Sequence, residues 1–305
     1  MADDPSPSIS PGSRAPGPRP LRWAGVVIAA ALLAAAVVVV VRQHDAIGQA
    51  LDAIRQPDAS HLCLLLGSVL ANLLLTGLLF TVLISRYGKV GLLEMQALIA
   101  AATLLNFLPL RPGLFGRIAY HRTFNAIPAA ASVKTVVQAM ILSVVVAGYL
   151  ATALVVSSQL GAPIWAVVVL PIPLLAVGTL RPGTRIWVAA GLLRYLEVMV
   201  WAVRYHAAFA LIGAPIAAES ALALACLSMI TMLVPFFGNG LGLREWAIGL
   251  ATPILVGGDA IIALGITADL LNRAAEVLVV LTLGLAGIAW LAGRHGRRSA
   301  PDADS

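Results

Sequence analysis

The chain has 305 residues, of which 60% are hydrophobic and only 11% charged, with a net charge of +6 and a mean hydropathy of +0.94. Soluble domains carry about a quarter charged residues and at most about half apolar ones, so this composition excludes a soluble enzyme, a disordered chain and a disulfide-built secreted module. The basic residues fall mostly between apolar segments and form no stripe with interleaved aromatics, so membrane topology accounts for them and nucleic-acid binding does not.

In chain order, residues 1–20 are rich in Pro, Ser and Gly and are expected to be a disordered cytoplasmic tail. Leu21–Val41 follows as a first span, longer than the roughly 7–15-residue apolar core of a signal peptide. Further apolar runs are His61–Ile84, Gly91–Leu110, Ser132–Val156, Ile164–Leu180, Ile186–Gly213, Ala217–Phe237, Glu245–Val256 and Ala260–Ala292. Cys63 and Cys226 sit inside such runs and read as small buried hydrophobes, with neither a disulfide nor a metal site expected. Residues 293–305 are expected to form a second tail, disordered, basic and cytoplasmic.

Two runs are interrupted. Gly91–Leu110 stops at Asn106-Phe-Leu-Pro-Leu-Arg-Pro-Gly-Leu-Phe-Gly-Arg117, and Ala217–Phe237 stops at Val234-Pro-Phe-Phe-Gly-Asn-Gly-Leu-Gly-Leu-Arg-Glu245. Proline removes a backbone donor and glycine loosens a helix, so both clusters are helix breaks. With the N-terminus in the cytoplasm, two re-entrant segments leave only Arg42 and Arg55 in outside loops, whereas a full crossing by Gly91–Leu110 would expose Arg111, Arg117 and Arg122. The positive-inside bias favours the re-entrant arrangement, with both termini cytoplasmic and the protein integral to the cytoplasmic membrane. The expected fold is therefore an all-α polytopic membrane protein: six full transmembrane helices and two re-entrant hairpins, arranged as an inverted repeat over residues 21–292. Eight ordinary spans, with both breaks as interfacial loops, are the alternative.

The breaks concentrate residues suited to an anion. Asn106, Arg111, Gly113 and Arg117 mark the first, and Gly240, Gly242, Arg244 and Glu245 the second. Arginine presents a planar fork of donors to phosphate or carboxylate, glycine lets backbone approach a ligand, and a resuming helix offers free N–H groups. Alternatively, Arg244 and Glu245 neutralise each other or cap a helix. Within the span Ile186–Gly213, Arg194, Glu197, Trp201, Arg204 and Ala208 recur every three or four residues and share one helical face. The last span repeats the pattern with Asp269, Asn272, Arg273 and Glu276, in which Asp269–Arg273 and Asn272–Glu276 are i,i+4 pairs. Charges at membrane depth face a bundle interior and mark either function or interhelical salt bridges. Arg194 is near enough to the cytoplasmic surface to snorkel, and Tyr205 and His206 are expected in belt or packing roles near the outer end. No GxSxG, HExxH, P-loop or CxxC pattern occurs, so no enzyme, cofactor or metal is expected.

The two breaks resemble the paired motifs of the lysylphosphatidylglycerol synthase transmembrane-region family, the flippase-like membrane proteins. Asn106, Pro109, Arg111, Gly113 and Arg117 match its first motif, and Gly240, Gly242, Arg244 and Glu245 its second, with Leu114 standing where an acidic residue is usual. The resemblance implies the lipid-translocating half of those synthases without their soluble aminoacyl-transferase domain. On this reading the chain binds and translocates an anionic or phosphate-bearing membrane lipid. Arg111, Arg117 and Arg244 would hold the head group, Glu245 would orient Arg244, and Arg204, Asp269, Arg273 and Glu276 would line the path or couple it to protons. The alternative is a non-transporting scaffold or regulatory subunit of a cell-envelope enzyme. The two readings differ in what the breaks should form: a transporter needs them to converge on a polar, wet cavity, a scaffold on a dry, fully paired network.

Overall fold

The computed structural model describes residues 57–298 other than 109–110, 162, 170, 235–239 and 258–260, together with Ala34 and Val38; most of the expected span Leu21–Val41, the N-terminal tail and residues 299–305 lie outside the described residues, while 293–298, expected in the second tail, continue the last helix. Every described element is a helix. Four are long and apolar enough to cross a membrane: α1 (Ala59–Ile84), α4 (Ala129–Leu160), α7 (Arg185–Leu211) and α10 (Ile262–Arg298). Between them lie α2 (Leu92–Leu105), α3 (Pro112–Phe124), α5 (Ile164–Val169), α6 (Pro171–Gly178), α8 (Ala218–Thr231) and α9 (Leu243–Val256).

The ends of the long helices follow their sequence. Asp58 caps α1, its carboxylate accepting from the Ser60 amide at 3.1 Å and the Ser60 hydroxyl at 2.8 Å. Those bonds, with His61, hold the Asp58 carboxyl below its ordinary range, so the cap stays charged at neutral pH. α4 ends at Gly161, whose φ of +61° suits the left-handed stop that glycine supplies. Ile164–Leu180, expected as one span, forms two short helices instead; Pro171 and Pro173 lack the amide donors a continuous helix requires.

The distribution of polarity is inverted relative to a soluble protein. Leu93, Leu160, Leu180 and Ile254 are largely exposed, whereas Arg204, Arg244, Glu245, Asp269 and Asn272 are almost completely buried. A contiguous apolar exterior over an ionic interior suits a hydrocarbon solvent. Cys226 is buried as expected, but Cys63 is not; it lies exposed on α1.

α1 and α7 run antiparallel and form the most extensive helix pair. Arg86, just past the end of α1, stacks over the ring of Trp187 at the start of α7, 4.8 Å from its centroid. At their other ends Leu65 and Val69 pack with Ala207, Ala208 and Leu211.

The four 13- and 14-residue helices pair into two hairpins. α3 returns to where α2 began, since Tyr120 Oη and Asn125 Nδ2 both donate to Glu94 Oε1 at 2.9 Å. α9 likewise returns to the start of α8, where Ser220 Oγ donates to the Leu255 carbonyl at 2.6 Å. The first hairpin opens beside the end of α1 and the second beside the end of α7, hence at opposite ends of the bundle.

α10 runs past both hairpins. Arg294 pairs with Glu94 at 3.2 Å, and Gly287 fits so closely against α2 that a Cβ would lie 2.6 Å from the Ala97 carbonyl oxygen. In its other half, a Cβ on Gly265 would lie 2.1 Å from Thr252 Oγ1 of α9. Small residues thus admit the hairpins to close range, a packing rule of membrane helices. The two hairpin tips meet midway along α10.

Candidate functional site

The first tip is built by Pro112 and Arg111. Pro112 starts α3 without needing an amide partner. Arg111 just before it takes the left-handed conformation at φ +50° and ψ +57°, a region that costs a non-glycine residue on the order of 1–2 kcal/mol. Its side chain offsets this: Nη2 donates to the carbonyls of Met232 at 2.9 Å and Val234 at 3.0 Å. Those carbonyls follow the end of α8, where a helix leaves acceptors without internal partners and its dipole favours a cation. An arginine of the first break therefore caps the second hairpin.

The other expected residues of these breaks are structural in their contacts. Asn106 Oδ1 accepts from the Leu114 amide at 3.1 Å, so one of the N–H groups expected to face a ligand is occupied within the turn. Gly113 lies against α2, where a Cβ would come 1.9 Å from the Ala102 carbonyl oxygen. Gly240 and Gly242 carry φ values of +72° and +79° in the turn into α9, a conformation that favours glycine. Arg117 is buried, with its guanidinium 3.7 Å above the Phe80 ring centroid.

Arg244 and Glu245 do not neutralise each other, and the i,i+4 pairs expected within the last span do not form. Arg244 Nε pairs with Asp269 Oδ2 at 3.0 Å and its Nη1 with Glu276 Oε2 at 3.3 Å. Glu245 meets Arg273 instead, 2.5 Å from its Nε. The reason is geometric: α9 runs antiparallel along α10, so consecutive residues 244 and 245 reach across the interface to successive turns of the facing helix. Asn272 Oδ1 accepts from Arg204 Nε at 2.9 Å, and Arg204 Nη2 pairs with Glu276 at 3.2 Å. Arg194 does not snorkel outward; it is buried and pairs with Glu197 at 2.7 Å. Four guanidinium groups thus meet four carboxylates, the balance that buried charge requires.

Tyr205 belongs to this network rather than to an interfacial belt. It is fully buried, donates to Asp269 Oδ1 at 2.8 Å and bonds Ser228 Oγ. His206 lies outside it, with Nδ1 3.1 Å from the Ile216 carbonyl. Asn72 and Thr76 of α1 are site residues that the sequence reading did not select. Asn72 Nδ2 donates to the Glu197 carbonyl and Thr76 Oγ1 to Glu197 Oε1, each at 2.9 Å, while Asn72 Oδ1 accepts from Arg204 at 3.5 Å. Their spacing of four in a largely apolar helix was the available signal.

On one side of this network lies a cavity of about 260 Å³. Arg194, Glu197, Trp201 and Arg204 of α7 form one wall, joined by Arg111 from the first tip, Met232 and Leu233 from the second, and Glu276 from α10. Trp201 stacks on Arg204, 3.8 Å from its ring centroid, and Phe80 rather than Arg117 lines the opposite side. Arg244, Glu245, Asp269, Asn272 and Arg273 stand behind the wall and do not line the cavity. Among the described residues, no group of three or more His, Cys, Asp and Glu side chains is placed to hold a metal ion.

These features define an all-helical protein with four helices suited to crossing a membrane and a buried ionic centre. No family model, curated protein or solved structure matches the chain.

Proposed function

We propose that the protein binds the head group of an anionic or phosphate-bearing lipid in the central cavity and moves that lipid across the cytoplasmic membrane. The observation that carries this reading is the cavity wall, which among the described residues holds three guanidinium groups, Arg111, Arg194 and Arg204, against two carboxylates, Glu197 and Glu276. Glu276 is already shared by Arg204 and Arg244, so an anion entering the cavity meets a net positive wall with planar donors. A volume of about 260 Å³ accommodates a head group and leaves acyl chains outside. Arg111, and not Arg244, is the break arginine that faces this space; Arg244 serves by holding α10 in register. The resemblance to the flippase-like family points the same way.

In this reading both hairpins are re-entrant. A 14-residue helix is about 21 Å long, short of the roughly 30 Å hydrocarbon core, so α2, α3, α8 and α9 suit half-crossings better than full ones. The tips then meet near the midplane, the usual position of a binding site in inverted-repeat transporters. Both termini are cytoplasmic. The scaffold reading has one observation in its favour, the full burial of Arg244, Glu245 and Asp269 in mutually paired form.

The test uses purified protein in vesicles containing fluorescent phosphatidylglycerol or phosphatidylcholine, with dithionite quenching to follow transfer between leaflets. Met140 lines the cavity and belongs to no ion pair, so Met140→Trp fills the space without disturbing the charges. Transfer of phosphatidylglycerol by the wild type and its loss in Met140→Trp are expected. No transfer by the wild type, with a normally folded protein, would favour the scaffold.

A further inference from the structure

A second concave surface lies away from the central cavity, between α4, α6 and α7. It is a groove of about 610 Å³ with almost entirely apolar walls, formed by Val145 and Tyr149 of α4, Leu175 of α6, and Trp187, Gly191 and Tyr195 of α7. Gly191 is the residue that opens it: a Cβ there would meet nothing within 4 Å, so the groove passes where a side chain would otherwise stand. Glycine in mid-helix sacrifices about 0.5–1 kcal/mol relative to alanine, and no close helix contact at this position explains it.

The end of the groove nearest Trp187 is strongly basic. Arg86 lies over the Trp187 ring, Arg185 begins α7 two residues earlier, and Arg181 sits in the turn before it, all three exposed. The side chain of Thr184 forms no cap hydrogen bond at this helix start, and a helix N-terminus beside arginines is a favourable place for a phosphate. The apolar groove and the basic cluster meet at Trp187, as the acyl chain and head group of a phospholipid adjoin.

We propose that this groove holds one acyl chain of an anionic glycerophospholipid, with its phosphate between Arg86, Arg181 and Arg185. The occupant is a lipid of the leaflet on that side, bound in place, distinct from the molecule handled by the central cavity. The inference requires that the protein lie in a bilayer, and it does not require transport. Charge complementarity selects a lipid over a second copy of the chain, because two such mouths brought together would place six arginines face to face.

Native mass spectrometry of the protein in detergent, titrated with phosphatidylglycerol or phosphatidylcholine, tests it. The wild type is expected to retain phosphatidylglycerol at least tenfold better than phosphatidylcholine at this step. Gly191→Leu should remove one phosphatidylglycerol per chain, while Met140→Trp in the central cavity leaves that lipid bound. Arg86→Gln with Arg185→Gln, both at exposed positions, should abolish the preference between the two lipids for that one bound molecule, while Gly191→Leu removes that molecule whichever lipid is supplied. Unchanged lipid stoichiometry in Gly191→Leu would overturn the proposal, as would a dimer that this substitution dissociates, since the occupant would then be another protein chain. Failure of the central cavity to transport leaves these outcomes as they are.

Discussion

Arg204 of α7 and Arg244 of α9 both reach one atom, Oε2 of Glu276, at 3.2 and 3.3 Å. A single carboxylate of α10 thereby ties that helix to both α7 and α9, which are separated in the chain by α8. Trp201 lies against both guanidinium groups, at 3.8 and 5.3 Å from its ring centroid. Removing the carboxylate leaves both cations short of charge in a region where an unpaired ion costs several kcal/mol.

The pairing of Asp269 is open to a double-mutant cycle. Asp269→Asn leaves Arg244 with Glu276 alone, and Arg244→Gln leaves Asp269 with the Tyr205 hydroxyl, so each should cost up to about 3–5 kcal/mol, the figure for breaking a buried pair. The double variant should recover part of that loss, as read from the melting temperature in detergent. The same cycle between Asp269 and Arg273, four residues apart on one helix, should be close to additive. A coupling confined to Asp269 and Arg273 would mean that α9 and α10 are packed in another register.

Gly113 and Gly116 lie one helical turn apart on α3 and make opposite predictions. A Cβ on Gly113 would intrude on the Ala102 carbonyl, whereas one on Gly116 meets nothing within 4 Å. Gly113→Ala must therefore separate α2 from α3 and should reduce thermal stability by several degrees. Gly116→Ala should leave it unchanged or slightly raised, because alanine is the better helix former. Equal behaviour of the two would be incompatible with the hairpin.

Arg111 links the tips through charge-assisted hydrogen bonds, each worth about 1.5–3 kcal/mol. Arg111→Gln should raise the hydrogen-exchange rate of the amides near the end of α8, around residues 231–234, more than that of α1 or α7. It should also weaken binding of phosphatidylglycerol at the central cavity. Protection of the α8 end equal to wild type would show that Arg111 does not cap it.

Topology is read with single cysteines in a Cys63→Ala, Cys226→Ala background. Ser158, near the end of α4, and Gly183, before α7, are exposed and lie at opposite ends of the bundle. An impermeant maleimide added to cells should label Ser158→Cys, while Gly183→Cys should react only after the membrane is opened. Labelling of Gly183→Cys in intact cells would reverse the orientation.

Much of this organisation is legible in the sequence. The four long helices follow from long, mainly apolar runs free of proline and glycine clusters, and both hairpin turns follow from such clusters flanked by shorter runs. The charged face of α7 is legible too, because a three-four spacing survives in any straight helix and Arg194, Glu197, Trp201 and Arg204 all reach the cavity. What local spacing could not provide is the choice of partner. Asp269 and Arg273 satisfy the i,i+4 rule, yet a facing helix offers each an opposite charge at closer range, and interhelix register depends on packing by distant residues such as Gly265. Asn72 and Thr76 went unselected for a related reason: single polar groups in an apolar helix acquire meaning only when Glu197 is placed beside them.

The two hairpins are fastened unequally at their bases. Glu94 gathers Tyr120, Asn125 and Arg294, so the first is riveted to α10 by an ion pair as well as to itself. At the corresponding place in the second, among the described residues, Ser220 offers one neutral hydrogen bond to Leu255, close to Pro253 inside α9 and to Gly257 at φ +73°. Proline deprives the helix of a rung there, and the glycine provides a natural pivot. Among the described residues the two hairpins are therefore alike in form but unequal in restraint: the first is clamped at its base, and the second is held there by fewer ties.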